Sequence, residues 1–178
     1  RKWLFPEIEI ASNEHMVLFA SGKDRRDPSV ALHTNFKLGR GGDAVYLFRP
    51  DRPLVIESQS PDPLPEVRNG VSFGRSHDGE WRFFATPSPR ETNGASGVSA
   101  VTSPVSFNVS RGLIDSPFHL TLSSKESGAL IRYTIDGSDP SEENGRVYDQ
   151  PLLINQSTIV RAVAFRSNAL PSMIRTES

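Results

Sequence analysis

Ile131-Arg132-Tyr133-Thr134-Ile135-Asp136-Gly137-Ser138-Asp139-Pro140 alternates large apolar side chains with Arg132 and Thr134 before it breaks. A period of two sets Ile131, Tyr133 and Ile135 on one face of a β-strand, with Arg132 on the other. Asp136-Gly137 ends that strand, because glycine takes the positive φ of a tight turn and aspartate can hydrogen-bond its own backbone. Asp139-Pro140 adds a second break at once. No helix accommodates this pattern. The expectation is a central strand with Tyr133 in the core, its hydroxyl partnered, and Arg132 in solvent.

Downstream and just upstream, residues 105–109, 118–122, 147–148, 152–154, 158–165 and 173–174 read as further strands, with Phe118, Leu120 and Leu122 alternating against His119 and Thr121. The first half also reads as strands. Residues 3–5 and 8–10 are short; residues 15–20 form a continuous apolar run of the kind buried on both faces. Residues 36–38 and 44–49 flank the glycine-rich segment 39–43, which suggests a hairpin. Pro50-Asp51-Arg52-Pro53 turns into a strand over 54–56, and residues 71–75 and 81–85 flank Asp78-Gly79 as a second hairpin. No window shows a helical period. Between the halves, residues 88–104 are rich in Ser, Thr, Gly, Ala, Asn and Pro and read as a linker, open to proteases.

The composition agrees with short strands between many turns: 36% hydrophobic residues, 14 Pro and 13 Gly in 178. That length suits two small β domains. The formal charge is −1, from 20 basic and 21 acidic residues, with 13 of each up to Ala95 and 7 against 8 after it. Neither half offers the positive excess of a phosphate-binding surface, so nucleic acid is a disfavoured partner. Absence of cysteine removes disulfides, thiolate zinc sites and a thiol nucleophile. No run reaches the ~18 apolar residues of a membrane span. The chain opens on Arg1-Lys2-Trp3 without a signal peptide, and is expected to be a slice of something longer.

Several stretches resemble known families. Val17 to Asp24 (Val-Leu-Phe-Ala-Ser-Gly-Lys-Asp), Leu32 to Leu38, Val45-Tyr46-Leu47-Phe48 and the Phe73 to Pro89 stretch resemble, in that order, a lamin-tail domain of the bacterial secreted type, over about residues 1–93. The two strands with which that family normally opens are not found in the sequence; either the stretch begins after them or the domain completes itself differently. Tyr133 to Pro140, Val147 to Leu152, Thr158 to Phe165 and Leu170-Pro171-Ser172 resemble the C-terminal domain of chitobiase and β-hexosaminidase-type proteins, over about 105–176. The last strand of that family usually runs further, so the C-terminal edge also reads as cut. The resemblance implies an all-β chain of two tandem immunoglobulin-like β-sandwich domains, 1–93 and 105–178, joined by a Ser/Gly/Pro-rich linker, 94–104. It further implies a non-catalytic accessory region of a secreted or surface-attached bacterial protein, extracellular or periplasmic. Its partners would be a protein, a polysaccharide or neighbouring domains of the parent. The alternative is an accessory part of an extracellular hydrolase, nuclease or kinase-like enzyme whose catalytic domain lies elsewhere.

Few residues invite chemistry. Ser76-His77-Asp78 holds the residue types of a hydrolase triad, but in an extended chain His77 points away from its neighbours, and a turn explains the three better. Glycines 39, 41 and 42 lead into a strand, whereas a phosphate loop leads into a helix. Asp136, Asp139, Glu142 and Glu143 are the one dense acidic cluster; they are hard oxygen ligands suited to Ca²⁺, without EF-hand spacing, and solvated turns look the same. His15, His33, His77 and His119 have no metal-ligand spacing. Lys23, Arg25 and Arg26 could hold an anion, although Asp24 and Asp27 lie among them. Trp3, Trp81 and Phe83 could stack on a sugar, with Trp81 and Phe83 sharing a face that suits a core equally well. Asn108-Val109-Ser110 and Asn155-Gln156-Ser157 are glycosylation sequons, unused in a bacterium. No catalytic residue and no cofactor are expected.

Overall fold

The computed structural model describes residues 3–49, 51–52, 56–113 and 115–178; Pro50, Pro53, Leu54 and Val55, read as a turn and strand start, lie outside them. All regular structure among the described residues is β. The chain divides into two compact units, one ending at Gly97 and the other running Val98–Ser178.

The first unit holds β1 (Leu18–Phe19), β2 (Leu32–His33), β3 (Tyr46–Phe48), β4 (Ile56–Gln59), β5 (Ser72–Arg75) and β6 (Trp81–Phe84). They form three separate pairs. The hairpin expected around Asp78-Gly79 is present: Phe73 faces Phe83 and Arg75 faces Trp81, with Gly79 at φ +85°. The other expectations change. Only two residues of the 15–20 run form a strand, in a parallel pair with β2, and Phe19 is exposed. Residues 3–5, 8–10 and 36–38 form no strand. The glycine-rich segment does not join a hairpin from 36–38 to 44–49. It runs beside residues 64–67, with Gly42 N–H on the Leu64 carbonyl and Val67 N–H on the Arg40 carbonyl, while β3 pairs with β4 instead. Gly41 is needed for that approach, since a Cβ there would come within 3.0 Å of the Glu66 backbone. Little of this unit is buried: its buried apolar side chains among the described residues are Leu32, Phe83 and Phe84.

The second unit contains β7 (Ala100–Val101), β8 (Ser106–Phe107), β9 (Phe118–Leu120), β10 (Leu122–Ser123), β11 (Leu130–Thr134), β12 (Arg146–Val147), β13 (Leu152–Ile154), β14 (Val160–Phe165), β15 (Ala169–Leu170) and β16 (Arg175–Glu177). One sheet runs β12-β11-β14-β16; opposite it, β9 pairs with β13 and β10 with β8. β9 and β10 are one strand interrupted at Thr121, where the Asn108 carboxamide takes over the ladder, accepting from Thr121 N–H (2.7 Å) and donating to the His119 carbonyl (3.3 Å). Val105, Leu120, Leu122, Ile131, Tyr133, Val160, Ala162 and Ala164 form the core between the layers.

β11 is central, as its alternation predicts, and Ile131 and Tyr133 are buried. Three details differ. The strand ends one residue early, because the Thr134 hydroxyl donates to the Ser138 carbonyl (2.6 Å) and closes the turn beneath it, so Ile135 is 47% exposed. The Tyr133 hydroxyl has no hydrogen bond among the described residues; its ring meets Tyr148 edge-on at 6.4 Å. Arg132 does lie on the opposite face, but it is part-buried and donates to the Gly145 carbonyl (2.9 Å).

The residues read as the end of the linker are strand-paired. β7 runs parallel to β15, Thr102 N–H donates to the Leu170 carbonyl, and Val105 is fully buried. Ser103 is tied down by Glu126, which accepts from its N–H (3.1 Å) and hydroxyl (2.7 Å). Small residues gave no apolar period to read, yet two of them suffice for a short ladder.

Two outcomes are expected. Tyr133→Ala should destabilise the chain by about 3–5 kcal/mol through the cavity it leaves, and Arg132→Ala by about 2 kcal/mol through the lost charge-assisted hydrogen bond. Urea denaturation of the two variants checks both, and equal or reversed effects would mean the strand faces are misassigned. Limited proteolysis should cut first at exposed Gly94, Ala95 or Ser96 and spare residues 98–104; a cut within the latter would refute the β7–β15 pairing.

Candidate functional site

The hairpin β5–β6 brings Ser76, His77 and Asp78 onto one turn, closed by Gly79 N–H to the Ser76 carbonyl (2.9 Å). The Ser76 hydroxyl donates directly to the Asp78 carboxylate, and His77 is exposed with no part in the contact. Arg82 completes the group, donating from Nη2 to Asp78 (2.9 Å) and from Nε to the Ser76 hydroxyl (3.2 Å). These donors, with Glu80 N–H, hold the Asp78 carboxyl down at about 2, the Ser76 hydroxyl being the largest cause. A serine engaged by a carboxylate without an intervening imidazole is a turn lock.

On the other face of this hairpin, Trp81 and Phe83 do share a side, with Phe83 buried and Trp81 half-buried. Trp81 stacks on Phe73 at 5.4 Å, and the Arg75 guanidinium lies 5.4 Å from the indole centre. The ring is thus engaged on hydrophobic and cationic neighbours. Trp3 is likewise engaged, donating from Nε1 to Asp24 (3.0 Å) beneath Arg26.

In the basic loop only Arg26 is ion-paired among the described residues. Arg26 Nε binds Asp24 at 2.8 Å, and the Arg25 backbone bridges to His33. Asp27 accepts from Ser29, which lowers its carboxyl pKa. The His33 ring meets the Ser21 hydroxyl at 2.8 Å and stacks on Phe19. Burial, then the charges of Arg25 and Lys23, push its imidazole pKa below the ordinary value. On β3, the Tyr46 hydroxyl donates to Asp62 (2.6 Å), raising the phenol pKa.

The acidic cluster is dispersed by its own turn. Asp136 accepts from the Ser138 hydroxyl (2.6 Å) and N–H (3.0 Å), which lowers its carboxyl pKa. Asp139 pairs with Arg161, whose Nη1 also donates to the Gly137 carbonyl (2.9 Å). Glu142 and Glu143 are exposed. Among the described residues, no three acidic or histidine side chains are gathered as a metal site.

A concave feature escaped the sequence. Where β8, β13 and β16 end and β9 and β14 begin, a cleft of about 830 Å³ opens. Its floor is apolar, with Phe118, Leu120, Ile154 and Val160, and its rim carries the amides and hydroxyls of Asn155, Gln156 and Thr158. The loop bordering it is fixed to the chain end, Arg111 N–H donating to Glu177 (2.9 Å) and Gly112 N–H to the Ser178 carbonyl. Segments so far apart in sequence gave no local motif to read. The size lies within the range of small-ligand pockets, with a floor for an apolar face and a rim for hydroxyls.

Residues 120–178, about a third of the chain, match the sequence model of the family described as Fn3 associated. That match indicates a fibronectin-type-associated, immunoglobulin-like domain over this stretch. It begins inside β9, so the core residue Val105 and strands β7 and β8 precede it. No curated protein and no solved structure matches the chain. No helix among the described residues is long and apolar enough to cross a membrane.

Of the carboxylates lowered in the folded chain, Asp27, Asp78, Glu126 and Asp136, the most depressed are Asp78 and Glu126. Glu126 is held at about 2 by its hydrogen bonds from Ser103 and Ser124, as Asp78 is by Ser76. Each is depressed in the folded state, so its stabilisation is complete above the ordinary carboxylate range and is lost as pH falls through about 2. Urea midpoints should therefore fall between about pH 4 and 2. Glu126→Gln should lower the midpoint at neutral pH and flatten that acid slope; an unchanged slope would contradict the assignment.

Proposed function

We propose that this chain is a non-catalytic accessory region of a larger secreted or cell-surface bacterial protein, acting as a binding or adhesion module or as a spacer. The observation that carries this reading is the Fn3-associated match over residues 120–178, which suggests an accessory module of a larger protein. Within it, residues 1–93 are read as a lamin-tail-like domain and residues 105–178 as a chitobiase C-terminal-like sandwich, on the motifs quoted above. The partner is a protein, a polysaccharide or a neighbouring domain of the parent, and no cofactor is assigned. The cleft beside Phe118 supports the binding role by its size and lining. Near-zero charge in both halves weighs against nucleic acid.

Assay of the purified chain on glycosides, esters and nucleic acids is expected to give no turnover. Turnover that a single point substitution abolishes would overturn the proposal.

A further inference from the structure

The sequence holds three Asn-Gly pairs, Asn69-Gly70, Asn93-Gly94 and Asn144-Gly145. Such a pair can cyclise, because glycine has no Cβ to keep its backbone nitrogen from the preceding side-chain carbonyl. With glycine following in every case, differences in reactivity within the native protein come from the fold.

Two of the carboxamides are locked. Asn93 accepts from the Ser88 hydroxyl (2.9 Å) and donates to the Arg75 carbonyl (2.7 Å). Asn144 donates to the Asp139 carbonyl (2.7 Å) and the Ser138 hydroxyl (3.2 Å). The carbonyl of the following Gly145 is itself held by Arg132. Asn69 is different. It is exposed, and its side chain makes no hydrogen bond among the described residues. The turn it occupies is closed by one backbone bond, Val71 N–H to the Arg68 carbonyl at 3.2 Å, and the space around Gly70 is open. The related Asp78-Gly79 and Asp136-Gly137 pairs are protected in another way. Their carboxylates are engaged by Ser76 and Arg82, and by Ser138, and a carboxylate anion is a poor acceptor for a nucleophile.

We propose that Asn69 is the site of spontaneous deamidation in this protein. The Gly70 nitrogen loses its proton to solvent base and attacks Asn69 Cγ. The new C–N bond closes a five-membered succinimide as the Cγ–Nδ2 bond breaks and ammonia leaves. Water then opens the ring at either carbonyl, giving aspartate or isoaspartate, and the chain becomes one charge more negative.

Peptide mapping that separates Asn, Asp and isoAsp, after incubating the full chain in mildly alkaline buffer with and without urea, tests the proposal. Product at Asn69 is expected to form at least about tenfold faster than at Asn93 or Asn144 in the native chain, since those two must first release hydrogen bonds. In urea the three rates should converge. Asn69→Ala should abolish the early acidic species on ion exchange. Native rates at Asn93 or Asn144 that equal or exceed the rate at Asn69 would overturn the proposal, as would a preference for Asn69 that persists unchanged in urea.

Discussion

The pairing of β11 with β14 is the constraint on which the second unit rests. Five residues of each strand face one another, and in that register Ile131 sits opposite Ala164 and Tyr133 opposite Ala162. Each large ring or branched chain therefore lies beside a methyl group, and the space the alanines leave lets the facing layer come close enough for Val105, Leu120 and Leu122 to fill it. A larger residue at 162 would compete with Tyr133, and one at 164 with Ile131, for the same volume. The edge strands β12 and β16 join this pair from either side.

The opposite face of the same two strands organises the turn that follows. Arg132 holds the Gly145 carbonyl, and Arg161 holds the Gly137 carbonyl and Asp139. The two guanidinium groups thus fasten the start and the end of one long loop to the sheet beneath it. Gly145 permits this closeness, since a Cβ there would stand 2.8 Å from the Tyr133 carbonyl oxygen. Asp136 and Asp139 spend their charge on holding the loop's shape, while Glu142 and Glu143 stand exposed.

Much of the second unit could be read from its sequence, because alternation over 118–122 and 131–134 is a direct record of which side chains face inward. Thr134 and Ile135 were harder: a hydroxyl-to-carbonyl bond within the turn settles where the strand stops, and no apolar pattern registers it. The same holds for Asn108, whose side chain replaces a rung of the ladder, and for Ala100 and Val101, too short a run to show a period. In the first unit the hairpin around Gly79 was legible from its turn residues, whereas β1, β2 and the path of the glycine-rich segment depend on partners far away in sequence. The cleft lining was hidden for that reason as well. The acidic cluster shows the converse limit, since residues close in sequence were turned by the backbone toward separate partners.

The parallel pairing of β7 with β15 has a mechanical meaning. Tension applied along the chain draws Ala100 toward its N-terminal side and, once β16 has let go, draws Leu170 toward its C-terminal side. Two strands that run the same way and are dragged in opposite directions slide past each other, so their cross-links are strained together instead of parting one at a time. Thr102 N–H on the Leu170 carbonyl shares that load, and Val105 must leave the core before the layers can separate. Pulling on such a module therefore loads these bonds in shear, all at once.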